Sequence, residues 1–242
     1  FGEAVIRKAA GGAVAYIGRT NSTYWNEDYY WAVGYKTNID GSAPPYDATK
    51  LGAYDAMFHT HGETYDKWAT SVGESIYSGN LAVSQSGSSR TNYYWEVYHI
   101  MGDPSLMPYL GVPTANPASY PTQIMIGNTS YAITGAAPYT RVGLTMNGVI
   151  YGSGITDASG NLTLTISPFT SVGTAKLVLT AQNKITKIAD IAVIAAQGPF
   201  MSVEQVAYDD ANNDIPEYNE SGYFDVTFKN VGVDPASNVS AI

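Results

Sequence analysis

The run Tyr98-His99-Ile100-Met101-Gly102-Asp103-Pro104-Ser105-Leu106-Met107-Pro108 divides the chain into two stretches with different periodicities. Proline lacks a backbone donor and fixes φ, while glycine reaches φ > 0 at little steric cost, so Gly-Asp-Pro stops a regular element. The stop follows a strand-like run, Tyr93-Tyr94-Trp95-Glu96-Val97-Tyr98, and reads as the end of a domain. Before it, apolar residues come in short blocks or recur every three or four positions. From Thr122 onward they alternate, the period of half-buried strands.

In the first stretch, Phe1, Val5 and Ile6 followed by Arg7-Lys8 and Gly11-Gly12 read as a helix C-terminus with its glycine stop. Ala13-Val14-Ala15-Tyr16-Ile17-Gly18 reads as a buried parallel strand. Thr20 to Asn26 reads as a polar loop with an aromatic tip. After the Pro44-Pro45 turn, Leu51, Tyr54, Phe58, His61, Tyr65, Trp68, Val72 and Ile76 predict one long amphipathic helix, with Asp47 near its N-cap and Gly79 as its stop. Gln85 to Ser89 is a polar loop. Helix, strand, helix and strand in this order indicate half of a layered α/β sheet.

Pro108, Pro113, Pro117 and Pro121 mark a stiff linker. Seven short alternating runs follow, at 123–126, 131–135, 141–146, 149–152, 162–166, 176–180 and 188–193, with Asn147-Gly148 as the strongest hairpin signal. This pattern predicts an immunoglobulin-like sandwich without a disulfide. Beyond Gly198-Pro199 a further unit begins, with strands at Met201–Val206 and Tyr223–Thr227. The expected domains are thus 1–110, 111–197 and 198–242. Phe1 reads as the middle of a helix and Asn238–Ile242 stop within a strand pattern, so the chain is expected to be a fragment at both ends.

The formal charge of −9 is uneven: 11 acids and 7 bases in residues 1–110, 2 and 4 in 111–197, and 8 and 1 in 198–242. An acidic surface without a basic stripe disfavours nucleic acid as a partner. No apolar run approaches the roughly 18 residues that span a bilayer. There is no cysteine, which removes disulfides and any cysteine nucleophile from these residues. Tyrosine is abundant, at 20 residues against 6 phenylalanines, a balance that suits either sugar and peptide contacts or an ordinary secreted β-rich surface.

Three motifs carry a family resemblance. Phe1-Gly2-Glu3-Ala4 with Arg7, then Gly12-Ala13-Val14-Ala15-Tyr16-Ile17 with Thr20 and Trp25, then Gly102-Asp103-Pro104-Ser105-Leu106 before an Ig-like module, resemble gingipain-type cysteine peptidases of the C25 family over residues 1 to about 195. The resemblance implies the C-terminal part of a caspase-like catalytic domain, whose His–Cys dyad hydrolyses peptide bonds. It places the dyad and oxyanion hole upstream, so no catalytic residue is expected here and the fragment alone is expected to be inactive. Trp25 matches the aromatic residue that lines the S1 pocket in arginine-specific members, and is the one expected substrate-binding residue. Its other reading is a packing aromatic on a loop. Residues 198–242 resemble the start of a CARDB-type adhesion sandwich.

The resemblance implies a secreted or cell-surface bacterial protein acting on protein or peptide substrates. The alternatives are a non-enzymatic surface protein with a decayed peptidase scaffold, or a processed subunit bound to an N-terminal chain that carries the dyad.

Other candidates have bland readings. His59-Thr60-His61 invites a metal, but helical residues two apart diverge by about 200°, which favours core or boundary histidines. His99 has a core-facing reading and, less favoured, a role as a base. Ser84, Ser86, Ser88 and Ser89 around Gly87 lack the Gly-x-Ser-x-Gly elbow. Asp209, Asp210, Asn212, Asn213, Asp214 and Glu217 are calcium-friendly oxygens without EF-hand order, and read as a solvated loop. No metal ligand or cofactor is therefore assigned. The resemblance also allows a structural calcium in the first domain, at no assignable position.

Overall fold

A computed structural model describes residues 2–40, 42, 45–210, 213 and 215–240. Phe1, Pro44 and part of the acidic 209–214 run, on which expectations were placed, lie outside the described residues. The fold is mixed α/β, and its contacts divide it into two units, Phe1–Pro113 and Thr114–Ile242.

The first unit runs α1 (Gly2–Ile6), β1 (Ala15–Arg19), α2 (Trp25–Val33), α3 (Ala53–Phe58), a 3-10 turn (Tyr65–Lys67), α4 (Val72–Gln85), α5 (Thr91–Val97) and β2 (Tyr98–Gly102). β1 is neither parallel nor fully buried. It pairs antiparallel with β2, from Ala15 opposite Gly102 to Arg19 opposite Tyr98, and most of its residues are half-buried.

The long helix expected from residue 47 to Gly79 is broken into three pieces. His59, at φ 36°, closes α3 in the left-handed conformation, with its N–H on the Asp55 carbonyl at 3.0 Å. Gly62 follows at φ 83°. A capping box then starts α4 afresh: Ser71 Oγ accepts from Glu74 N at 3.2 Å, and Glu74 Oε2 accepts from Ser71 N at 2.9 Å. Asp47 caps no helix. Its carboxylate accepts from Thr49 N and Oγ1 in a turn, and Gly52 precedes α3.

Gly79 does not stop a helix but lies within α4, because Trp31 of α2 packs directly onto it. The tyrosine-rich strand expected at 93–98 is instead helix α5. Tyr94 and Val97, three residues apart, are buried on one helical face, and this spacing is masked because neighbouring residues are aromatic too.

The core of this unit gathers Trp31, Ala53, Ile76, Val83 and Tyr94. Trp31 stacks on Tyr98 with centroids 4.6 Å apart and an interplanar angle of 11°. Its Nε1 donates to buried Asn80 Oδ1 at 3.1 Å.

In the second unit the strands are β3 (Thr114–Ala115), β4 (Gln123–Met125), β5 (Ser130–Ile133), β6 (Arg141–Met146), β7 (Val149–Ile155), β8 (Leu162–Thr165), β9 (Gly173–Thr180), β10 (Lys184–Ile185), β11 (Lys187–Ile194), β12 (Met201–Asp209) and β13 (Tyr223–Asn230). A five-stranded sheet has the order β4-β11-β9-β6-β7, and β5-β8, β3-β10 and β12-β13 form pairs. Asn147 and Gly148, at φ 53° and 80°, join β6 to β7, since a tight hairpin needs positive φ at both positions. Alternate residues Val142, Leu144 and Met146 of β6 and Ala175, Leu177 and Leu179 of β9 point into one apolar cluster. Tyr131, Ile133 and Leu164 from the β5–β8 pair join the same cluster.

Helix propensity alone would make Gly79→Ala stabilising by about 1 kcal/mol. A Cβ there, however, would lie 2.5 Å from Trp31 Cε2, on an indole held by stacking and a hydrogen bond. Overpacking should win, so Gly79→Ala is expected to destabilise the chain by about 1–3 kcal/mol in urea melts. A stabilised variant would show that the indole yields freely.

Candidate functional site

Trp25 is the first residue of α2 and is 93% exposed. The helix therefore begins at the residue expected to be a loop tip. The segment that leads to it, residues 20–24, is fixed at nearly every position. Thr20 N donates to the Val97 carbonyl at 2.9 Å, and Tyr93 OH donates to the Ser22 carbonyl at 2.7 Å. Tyr24 N donates to Tyr94 OH at 3.0 Å.

Asp28, one turn into α2, is the anchor. Its carboxylate accepts from Tyr94 OH at 2.8 Å, Tyr98 OH at 3.0 Å and Thr23 Oγ1 at 2.6 Å. Arg19 Nη1 in turn donates to Thr23 Oγ1 at 2.7 Å. Tyr94, in the core of the unit, thus ties the loop backbone and the helix start to α5.

A second tie lies beside it. The Arg90 guanidinium sits 3.8 Å over the Tyr24 ring and 3.2 Å from buried Glu27. Ser88 Oγ donates to the same Glu27 oxygen at 2.6 Å. Burial pushes the Glu27 carboxyl upward, but the hydrogen bonds from Ser88, its own backbone N–H and Arg90, with the Arg90 charge, outweigh it and hold the group below its ordinary range. Cation–π and carboxylate contacts together leave the guanidinium little freedom.

The product is an exposed indole on a hydrogen-bonded backbone, and the Glu27 and Asp28 carboxylates beside it are engaged as acceptors. Asp28 and Arg90 were not anticipated from sequence; the legible signal was the carboxylate three residues after Trp25.

The other candidates are scattered. His59 stacks on Trp68 at 3.7 Å, whereas exposed His61 stacks on Tyr46 at 4.6 Å and lies 3.5 Å from Glu63 Oε1. Neither histidine is on a helical stripe, because the helix ends at residue 58. Among the described residues, no three His, Asp or Glu side chains converge as metal ligands. His99 is exposed on β2 rather than facing the core. The Ser84 and Ser86 hydroxyls are used in bonds to carbonyls of α4, and the Ser88 hydroxyl is used on Glu27.

A separate apolar depression of about 310 Å³ is lined by Val14, Ala15, Ile17, Met57, Val72, Leu106 and Pro108, with Val14 79% exposed.

Residues 1–109 match the family described as peptidase family C25. Lys-gingipain W83 of Porphyromonas gingivalis is 36% identical over 213 residues, covering 85% of this chain. This chain belongs to the gingipain-type C25 peptidases. It spans 12% of the length of that relative, and 11% of Lys-gingipain 381 from the same organism, which is 36% identical over 198 residues. A solved structure described as a protease superimposes with a TM-score of 0.68 at 35% identity, over 80% of this chain and 42% of the other. The Arg-specific cysteine proteinase gingipain R aligns at 0.64 and 18% identity over 80% of this chain and 41% of its own, a likeness of fold. A complex of the Porphyromonas gingivalis RgpB pro- and mature domains aligns at 0.62 and 19%. These likenesses reach beyond the C25-matched residues into the second unit.

Burial pushes the Tyr94 and Tyr98 phenols well above their ordinary range, and the negative Asp28 acts in the same direction. A raised folded-state value contributes stability that is complete below the unfolded value of about 10 and is lost as pH rises through the folded one. In an alkaline absorbance titration, the Tyr94→Phe and Tyr98→Phe variants should therefore lose only ionisations that coincide with unfolding by circular dichroism. Ionisation of all tyrosines near pH 10 with the fold intact would contradict this.

Proposed function

We propose that this chain is part of a secreted bacterial cysteine endopeptidase, with residues 1–110 forming the C-terminal part of its caspase-like catalytic domain. Residues 111–197 are read as an Ig-like sandwich, supported by one apolar core shared between the five-stranded sheet and the β5–β8 pair. Residues 198–242 are read as the start of a CARDB-type sandwich.

The observation that carries the reading is Trp25, an exposed indole on a hydrogen-bonded base in the C25-matched segment. In the proposed reaction, a thiolate attacks the peptide carbonyl, a histidine protonates the leaving amine, and water releases the acyl group. The sequence holds no cysteine, so the nucleophile comes from residues outside it. Trp25 forms a wall of the S1 pocket. An indole face attracts a cationic side chain, and the relatives are named Lys-gingipains, so a basic residue at P1 is the preference to test.

The apolar depression around Val14 and Leu106 supports a second element of the reading. A contiguous apolar hollow beside the β1–β2 pair suits the dyad-bearing part of the peptidase as its cover, whether covalently continuous or a separate chain.

The purified chain should cleave nothing in a broad peptide library. In the longer polypeptide carrying an upstream His and Cys, Trp25→Ala should lower kcat/KM for basic P1 substrates by roughly tenfold or more, mainly through KM. Wild-type kinetics in that variant would return Trp25 to a packing role. Absence of the His or Cys upstream would favour the non-enzymatic alternative. For the cover, Val14→Asp should weaken binding of the dyad-bearing chain by about tenfold in calorimetry, since a buried unpaired carboxylate opposes docking. Unchanged affinity would place the contact elsewhere.

A further inference from the structure

A second concavity, of about 600 Å³, lies between the 48–51 segment, the 3-10 turn and one face of α4. Its volume is within the roughly 300–1,000 Å³ of small-molecule sites. Glu74, Tyr77, Ser78, Leu81 and Gln85 line it at helical spacing, so the cleft follows α4 for about 16 Å.

Its two aromatic lining residues, Trp68 and Tyr77, are held by neighbouring rings. Trp68 has one face stacked by His59 at 3.7 Å and 8°, forms a T-shaped pair with Tyr65 at 5.4 Å, and donates Nε1 to the Glu63 carbonyl at 3.0 Å. Tyr77 is braced edge-on by Trp95 at 5.4 Å. Around these rings stand the hydroxyls of Tyr77 and Ser78 and the amide of Gln85, whose Nε2 donates to the Thr49 carbonyl at 2.6 Å.

We infer that this cleft is a carbohydrate-binding site that takes an oligosaccharide. A pyranose has an apolar C–H face and a rim of hydroxyls, which is the complement of a lining that mixes held aromatic rings with hydroxyl, amide and carboxylate groups. The charges argue against an ionic ligand. Asp66 is paired with Lys67 at 3.1 Å, and the Glu74 carboxylate is bonded by the Thr70 and Ser71 N–H groups at 2.7 and 2.9 Å. An extended peptide would look for a strand edge to pair with, and the walls here are helix, 3-10 turn and loop. The inference stands independently of the peptidase reading.

The test is calorimetric and tryptophan-fluorescence titration of the chain with cellohexaose, maltohexaose, xylohexaose and chitohexaose. At least one should bind saturably, and Tyr77→Ala should weaken it by about tenfold or more. Trp68→Leu should abolish the fluorescence change. Because that variant can disturb its own loop, Gln85→Ala, at an exposed position, serves as the second variant and should also weaken binding. No saturation by any of the four sugars at millimolar concentration would overturn the proposal. So would affinity unchanged in Tyr77→Ala and Gln85→Ala, or saturation by a pentalysine peptide in place of the sugars.

Discussion

The first unit depends on the contact between Trp31 and Gly79. Only a residue without a side chain lets α2 and α4 approach until the indole covers the helix backbone, and the ring then reaches Tyr98 on one side and Asn80 at its nitrogen. The contacts of this one indole tie α2 to both α4 and β2. Trp25 is six residues earlier on α2, about 120° round the helix axis from Trp31. The buried indole therefore sets where the exposed one stands. A helix anchored on one face by Trp31 can hold Trp25 in solvent on another without further packing.

The polar ties around Asp28 complete what packing begins. Tyr93, Tyr94 and Tyr98 each place a ring in or against the core and use the hydroxyl to hold the 20–28 segment. Phenylalanine would fill the same space and leave the Asp28 carboxylate short of donors, an outcome that costs about 1–3 kcal/mol or more for a charged group. Part of the tyrosine excess over phenylalanine has this local cause: the rings are core residues, and the hydroxyls are loop anchors. The surface reading of the same composition applies to a different set, of which Tyr77 is one.

The second unit was the more legible in sequence because a period of two has no competing interpretation when turn residues separate the runs. Each of the seven expected runs between residues 123 and 193 contains a strand, and Asn147-Gly148 makes the expected hairpin. The first unit misled for a specific reason. The apolar spacing of three and four continues by coincidence from Phe58 through His61, Tyr65 and Trp68 into Val72, across a segment that is mostly loop. The contrary signal was present in Ser71-Val72-Gly73-Glu74, whose serine and glutamate cap each other, and it outweighs periodicity because it fixes a helix start. Gly79 misled in the opposite sense: a glycine in a helix serves as a stop or as a contact surface, and only the partner, Trp31, decides which. The anchors of Trp25 were hidden because they come from α5, some 70 residues away.

The Trp25 base and the Val14 depression differ in what they need from elsewhere. Residues 20–24 tie their backbone to residues of the same unit, so the backbone that carries Trp25 is in place before anything binds, and only the exposed indole is left to be ordered. The depression is the reverse: its walls are apolar side chains, with Val14 exposed, and the Val72 N–H bond to the Leu106 carbonyl at 3.0 Å ties its backbone without covering those side chains. In the proposed peptidase this division has a consequence. Docking of the dyad-bearing part would draw its energy from the apolar hollow, at about 25 cal/mol for each Å² removed from water. The S1 wall would need no rearrangement as that part arrives. A specificity element whose backbone is held in advance has only its side chain to settle, however the reactive half is delivered.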